Sequence, residues 1–583
     1  MAASPEVRLK RFLHYGSELP IYSASRGLLK FNEKSCPSIN TLITAGKEKE
    51  VGLQIIKAHS DGYAVRREAL LHAMALCALN KTSASLREMT YNAVRMVCAK
   101  PEDLFLFVNY LHDLNNNKIH SGNGLRRAIS DWYLKKDVME FAEIISKKRG
   151  YYRWTHVDLM RIAHIKSDDV ARQVVIQYAF TGNIKELKEK YKNVKEAQPV
   201  LQYLKVAADV RTSQDPVMVA RAIQSNSLSM GHLPHHNKDI LHSDEVWCAL
   251  LLGMPLEEML DRLQFVSRHQ LLSGGRRGSA RNLTRRYCDA ISHAKALAES
   301  PVHPARLLIE LSTYNLIAKE KISLATKLKH TAAVRKPPPI NEQIAEELAK
   351  VMDSAFKLLV PTGQRYVVAV DTRSKMWAKR CWKNRYVSCA DAAALLALSV
   401  ARCERDVTVG FYAGPHSPFT VVNVVTADTT LTALVASMKK HQQDEAAASE
   451  PATASSTTTG GGSSGRAGAG VEDALDMKLL AACLADSVKT PIAAQMLDWA
   501  EQNKRSVDVF VALGDNQLST TDLATKLNRY RSVMRLQNAK LVHVHLNGPA
   551  KNEAKSKGNG LLAVHGFDKN VPRVIEAFAR GAF

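Results

Sequence analysis

A chain of 583 residues is too long for a single hydrophobic core, and with 46% hydrophobic and 23% charged residues it is too apolar to be disordered as a whole. Its 80 Lys and Arg against 57 Asp and Glu leave a net charge of +23, which points to a polyanionic partner, nucleic acid first, although a charge surplus also serves solubility. Nine scattered cysteines lack the paired spacing of zinc or redox sites, the start has no apolar segment of signal-peptide length, and no run reaches the roughly 20 apolar residues of a membrane span. A cytoplasmic protein without membrane association is expected, with a nuclear pool compatible.

From residue 8 to 359 the pattern is that of one amphipathic helix after another. Ala69, Leu70, Ala73, Met74 and Cys77 share one helical face, and Leu86, Met89, Ala93, Met96 and Val97 share the next before Pro101. Short turns at 80–83 and 100–103 favour antiparallel neighbours, and many such pairs in series predict an α-solenoid or a closed ring, without a strict sequence repeat. This half carries 53 basic against 37 acidic residues, net +16, and the remainder carries the other +7.

Beyond Pro361-Thr362-Gly363-Gln364 the period becomes strand-like, which places the domain boundary between 1–360 and 361–583. Strand candidates at 366–370, 407–412, 507–513 and 541–546 alternate with helical stretches at 390–402 and 473–502, and 419–425 reads as an edge strand. Alternation of this kind predicts a doubly wound α/β domain with a largely parallel sheet. Residues 442–470, rich in Ala, Ser, Thr and Gly, cannot bury enough apolar surface to order themselves and read as a disordered insertion.

Several local features suit binding. In Gly122-Asn123-Gly124-Leu125-Arg126-Arg127, a glycine turn leads into a basic helix start, so Arg126 and Arg127 can reach phosphates while Trp132 and Tyr133 pack in the core. Lys147-Lys148-Arg149-Gly150-Tyr151-Tyr152-Arg153-Trp154 alternates cations with aromatics, the mixture that neutralises phosphates and stacks on unpaired bases. Thr155 and Asp158 fit a capping box, so the basic stretch is expected as a loop at a helix start. His164, four residues after Met160, reads either as a partly buried core histidine or as a ligand residue, with Arg161 and Lys166 beside it. The Arg-Gly run at 274–286 is a phosphate contact or a solvated loop. A nucleophile elbow, a Walker loop, an H-E-x-x-H helix and zinc-deaminase spacing are all missing, so no catalysis is expected.

The segments Arg8-Leu9-Lys10-Arg11-Phe12-Leu13, 125–133, 159–166, 245–251, Val302-His303-Pro304 and 361–371 resemble, in the same order, the Ro ribonucleoprotein (SS-A autoantigen) family. The resemblance implies a ring of HEAT-like helical repeats, the TROVE module, closed by a von Willebrand factor A domain. It further implies binding of small noncoding Y RNAs on an outer basic surface and of the single-stranded 3′ ends of misfolded RNAs, in noncoding-RNA quality control. His164 corresponds to a family histidine associated with Y RNA, and Lys147 lies in the accompanying basic stretch. Tyr151 stands where the family has another basic residue, so Lys148, Arg149 and Arg153 supply the charge.

The family's A-domain metal motif is Asp-x-Ser-x-Ser, with a later threonine and aspartate. Here Asp371 and Asp515 remain, but Arg373 and Lys375 replace the serines. A cation at about 5 Å opposes a divalent ion by roughly 7 kcal/mol at an effective dielectric near 20. Internal pairing of those cations with Asp371 and Asp515, and no metal or other cofactor, are therefore expected. The sequence reads as a monomeric, noncatalytic RNA-binding protein whose contacts are Lys147, Lys148, Arg149, Arg153, His164, Lys166, Arg126 and Arg127. A protein-interaction scaffold is the rival.

Overall fold

The computed structural model describes residues 3–119, 122–269, 271–272, 279–327, 341–414, 419–422, 428–448, 492–515, 523–549 and 560–583. The helical half begins with α1 (Pro5–Tyr15), α2 (Pro37–Thr44), α3 (Glu48–Ser60), α4 (Arg67–Ala78), α5 (Ala84–Val97) and α6 (Pro101–Leu114). It continues with α7 (Asn123–Leu134), α8 (Val138–Lys147), α9 (His156–Ala163), α10 (Val170–Thr181), α11 (Ile184–Lys190) and α12 (Gln198–Thr212). Side chains three and four apart share a face, and these faces build the core. In α5 the buried stripe is Leu86, Thr90, Ala93, Val94 and Val97, whereas Met96, expected on it, is 45% exposed. α4 is buried almost all round, so it carries the expected Ala69, Leu70, Ala73, Met74 and Cys77 together with Glu68 and His72 inside the layer.

Alternate helices stack, α3 on α5, α5 on α7 and α7 on α9, with α4 on α6 and α8 on α10 and α12. The series continues through Pro216–Asn226, Asp244–Leu251, Ser279–Ser292 and Glu342–Phe356, and this last helix packs on Pro304–Lys327. One end of the array therefore reaches the α/β domain, where Pro304–Lys327 meets Cys389–Cys403. The other end reaches the same domain through the N-terminal segment, so the contacts close into a ring.

The sheet contains β1 (Ile21–Ser23), β4 (Tyr366–Asp371), β7 (Val407–Tyr412), β8 (Thr420–Val421), β9 (Val509–Gly514), β10 (Lys540–His545) and β11 (Leu561–His565), in the order β1-β11-β10-β9-β4-β7-β8. All neighbours are parallel except β8, an antiparallel edge on β7. Successive side chains point to opposite faces. Val368, Val370, Val511 and Val544 pack into a core continuous with the later helices of the ring, while Val367, Ala369, Phe510 and Leu541 build the opposite layer.

The helical half is not free of strands, as its periodicity had suggested. β1 pairs with β11, Tyr22 opposite Val564, and β2 (Gly150–Tyr151) pairs with β3 (Trp154–Thr155) in a hairpin. Segments this short carry no readable period, and β1 is defined by a partner more than 500 residues away. Closure is reinforced by Asp568, which accepts from both Tyr22 Oη (2.8 and 2.9 Å) and Arg66 (3.0 Å), and by Phe583, set edge-to-face with Tyr15. Residues 442–448 of the expected disordered insertion continue the helix Leu431–Ala448. Their Ala content suits a helix better than the Gly and Ser that follow. The remainder of the insertion, residues 473–491 of the predicted helix and the loop at 273–278 lie outside the described residues.

Candidate nucleic-acid interface

The basic stretch 147–154 runs from the last residue of α8 into a hairpin rather than an open loop. Gly150 is required there, because a Cβ would lie 2.0 Å from the Trp154 carbonyl oxygen across the pair. The two-residue connection, Tyr152-Arg153, turns with a left-handed φ of 56° at Tyr152, a residue 52% exposed. The hairpin delivers the chain to α9 through the expected capping box: Thr155 N–H donates to Asp158 at 2.8 Å, and Asp158 N–H donates to Thr155 Oγ1 at 3.2 Å. α9 ends at His164, whose φ is 49° and whose side chain is exposed.

This corrects the helical-stripe reading of His164. The helix stops one residue earlier, so the left-handed cap swings the imidazole away from the apolar face that Leu159 and Met160 bury. A left-handed conformation costs a residue with a Cβ about 1 kcal/mol, and glycine little. Tyr152 and His164 thus hold aromatic rings toward solvent at two positions where the backbone would prefer glycine.

Lys148 lies over the Tyr151 ring at 4.1 Å, and Arg153 reaches His112 and Asp113 of α6, each at 3.1 Å. Lys147 pairs with Glu143 at 2.5 Å. Arg127, Arg149 and Lys166 are exposed and have no ion-pair partner among the described residues. Arg126 is half-buried, unlike Arg127, because the first turn of α7 packs toward α5. Both lie at the start of α7. His164 and Lys166 lie at the far end of α9, whose eight residues span about 12 Å. The predicted residues from Lys147 to Lys166 thus fall at the two ends of α9, with Arg126 and Arg127 apart on α7.

The support beneath is neutral and packed. Tyr133 Oη lies 2.8 Å from His156 Nδ1, Trp132 Nε1 donates to the Cys98 carbonyl at 2.6 Å, and burial pulls His156 down to about 4. Arg211 of α12 donates to the Lys147 carbonyl at 2.5 Å, fixing the end of α8 from which the hairpin leaves. Arg161, named beside His164 in the sequence but left out of the expected contacts, is exposed and set over the partly exposed Phe180 ring at 5.7 Å. Tyr152 was also left out of the expected contacts. The signal for Tyr152 was its place among the cations; nothing in the sequence marks the pairing of Arg161 with Phe180.

The carboxyl edge of the sheet forms a second polar cluster. Asp371 ends β4, and Asp515 follows β9 on the neighbouring strand. The Arg373 guanidinium lies between them: Nε donates to Asp371 at 2.9 and 3.1 Å, Nη2 donates to Asp371 at 2.5 Å and to Asp515 at 3.0 Å. Lys379 Nζ donates to Asp515 at 3.5 Å. Burial disfavours the Arg373 cation, but Asp371 and Asp515 outweigh it and raise its pKa, so the guanidinium stays charged. Among the described residues no three His, Cys, Asp or Glu side chains are grouped to hold a metal ion.

A model of the TROVE domain matches residues 33–229, and a model of the Ro60 vWA domain matches residues 478–579. The curated relatives include two proteins named RNA-binding protein RO60. That of Caenorhabditis elegans is 22% identical, covering 99% of this chain and 88% of its own, and that of Deinococcus radiodurans is 23% identical, covering 99% and 93%. The crystal structure of the Deinococcus radiodurans Ro (RSR) protein matches over 100% of both chains at a TM-score of 0.75 and 21% identity, a likeness of fold.

Proposed function

We propose that this chain, which belongs to the Ro family through its TROVE and Ro60 vWA domains, binds RNA through the surface bracketing α9. Tyr152 and His164 carry this reading, because each holds an exposed ring on a left-handed backbone that glycine would adopt at less cost. Lys148, Arg149 and Arg153 at one end, with Lys166 at the other, supply attraction for phosphates, and the rings stack on unpaired bases. The RNA-binding names of the two full-length relatives support it.

The ligands proposed are small noncoding RNAs of the Y RNA type and misfolded RNAs with single-stranded 3′ ends. Shape and a free tail matter more than sequence in such recognition, since cations and stacking are indifferent to base identity. The protein acts without catalysis, as a monomer, in the cytoplasm and with access to the nucleus. Fluorescence anisotropy with a stem carrying a single-stranded tail and with a blunt duplex of equal length tests this. Tighter binding of the tailed RNA is expected, and equal affinity for the two would contradict the proposal.

A further inference from the structure

A von Willebrand-type crevice takes a divalent cation when its strand-end carboxylates and neighbouring hydroxyls present acceptors to a common point. In this chain the acceptors are consumed from within. Both oxygens of Asp371 and one of Asp515 receive N–H bonds from Arg373, and the other Asp515 oxygen receives Lys379. Arg373, Asp371 and Asp515 are each 2% exposed or less, so the guanidinium is a fixed part of the fold rather than a surface side chain resting on the crevice. Lys375, in place of the second hydroxyl residue, is buried as well.

Thr372 beside Asp371 keeps a hydroxyl, but it is turned to another use. Its Oγ1 donates to the Tyr412 carbonyl at 3.1 Å, across the strand pair β4–β7, and lies 3.1 Å from His441 Nδ1. What the cluster has left is a donor: Arg373 Nη1 is buried without an acceptor among the described residues. Spare donor capacity is the reverse of what a metal ion needs. The stretch 371–375 also lies outside the part of the chain that matches the Ro60 vWA model.

We propose that Arg373 is a resident cation standing in for the divalent ion, joining the ends of β4 and β9 so that the α/β domain keeps its ring-closing shape without metal. The crevice then excludes Mg²⁺ and Mn²⁺ and needs neither for stability or for RNA binding.

Manganese titration of the full chain, read by the loss of the free Mn²⁺ paramagnetic signal, tests this against Arg373→Ser/Lys375→Ser, which restores two hydroxyls beside Asp371. The double variant is expected to gain one site at least about a hundredfold tighter than any in the parent protein, and to lose it again when Asp515→Asn is added. A folded double variant that gains no site would overturn the proposal. So would a parent protein that already binds one Mn²⁺ tightly and loses it in Asp371→Asn. The parent titration and its melting temperature with and without a chelator decide the matter even where the double variant does not fold: no tight site and no chelator effect are expected, and either one would overturn it.

Discussion

His72 is an imidazole with no hydrogen-bond partner on either nitrogen among the described residues, enclosed by Phe31, Tyr110 and Phe12 with ring centroids 5.1, 5.2 and 6.0 Å away. Burial pulls it from 6.5 down to about 4. His156 and His232 are pulled down to about 4 as well, by burial first in both cases. A histidine whose pKa is depressed by folding binds its proton more readily in the unfolded chain. The stability tied to its neutral form is therefore complete above about 6.5 and is lost as the pH falls toward about 4, by up to roughly 3 kcal/mol for each. His72→Phe keeps the shape and removes the titration, so its melting temperature should fall less than that of the parent between about pH 7 and pH 5. Identical acid sensitivity in the two proteins would refute this. No sequence feature distinguishes His72 from the exposed His164, since both stand among apolar neighbours at helical spacing. Whether an imidazole is swallowed or displayed depends on where a helix ends and on what covers it.

The capping box at the start of α9 was legible because Thr155 and Asp158 contact one another three residues apart. The hairpin before it and the left-handed cap after it were not, since two-residue strands have no period and the stripe of Val157 and Met160 ran on through His164 without a break. These details make the site testable one element at a time. Thr155→Ala should cost about 1 kcal/mol of stability and loosen the hairpin's exit, seen as faster amide exchange in residues 156–160. Tyr152→Gly and His164→Gly remove a ring while relaxing the backbone, so each should leave stability unchanged or raised by up to about 1 kcal/mol, yet weaken RNA binding. A loss of stability at both positions would mean that the rings serve the fold and not a ligand.

On the scale of the whole molecule, the helical and α/β architecture and most of the parallel sheet were readable from the change of period, because parallel strands are continuous apolar runs. The closure was not, since it depends on β1, Tyr22 and Arg66 meeting Asp568 and Phe583 across the length of the chain. Arg66 and Asp568 are 7% and 15% exposed at their side chains, so Asp568→Ala leaves a buried cation uncompensated and should destabilise the closed ring by about 3 to 5 kcal/mol. Faster exchange in residues 21–24 and a larger radius of gyration by small-angle scattering would register it; unchanged exchange and size would show the latch to be redundant. The closed ring is proposed to offer RNA the cationic and aromatic surface around α9. The most direct test is the salt dependence of binding to a tailed RNA, compared between the parent and Lys148→Glu/Arg149→Glu/Arg153→Glu. Binding weaker by about tenfold or more is expected in the variant, with a plot of log K against log salt shallower by about two units, because three phosphate contacts are lost. Equal affinity and equal slope in the two proteins would contradict it.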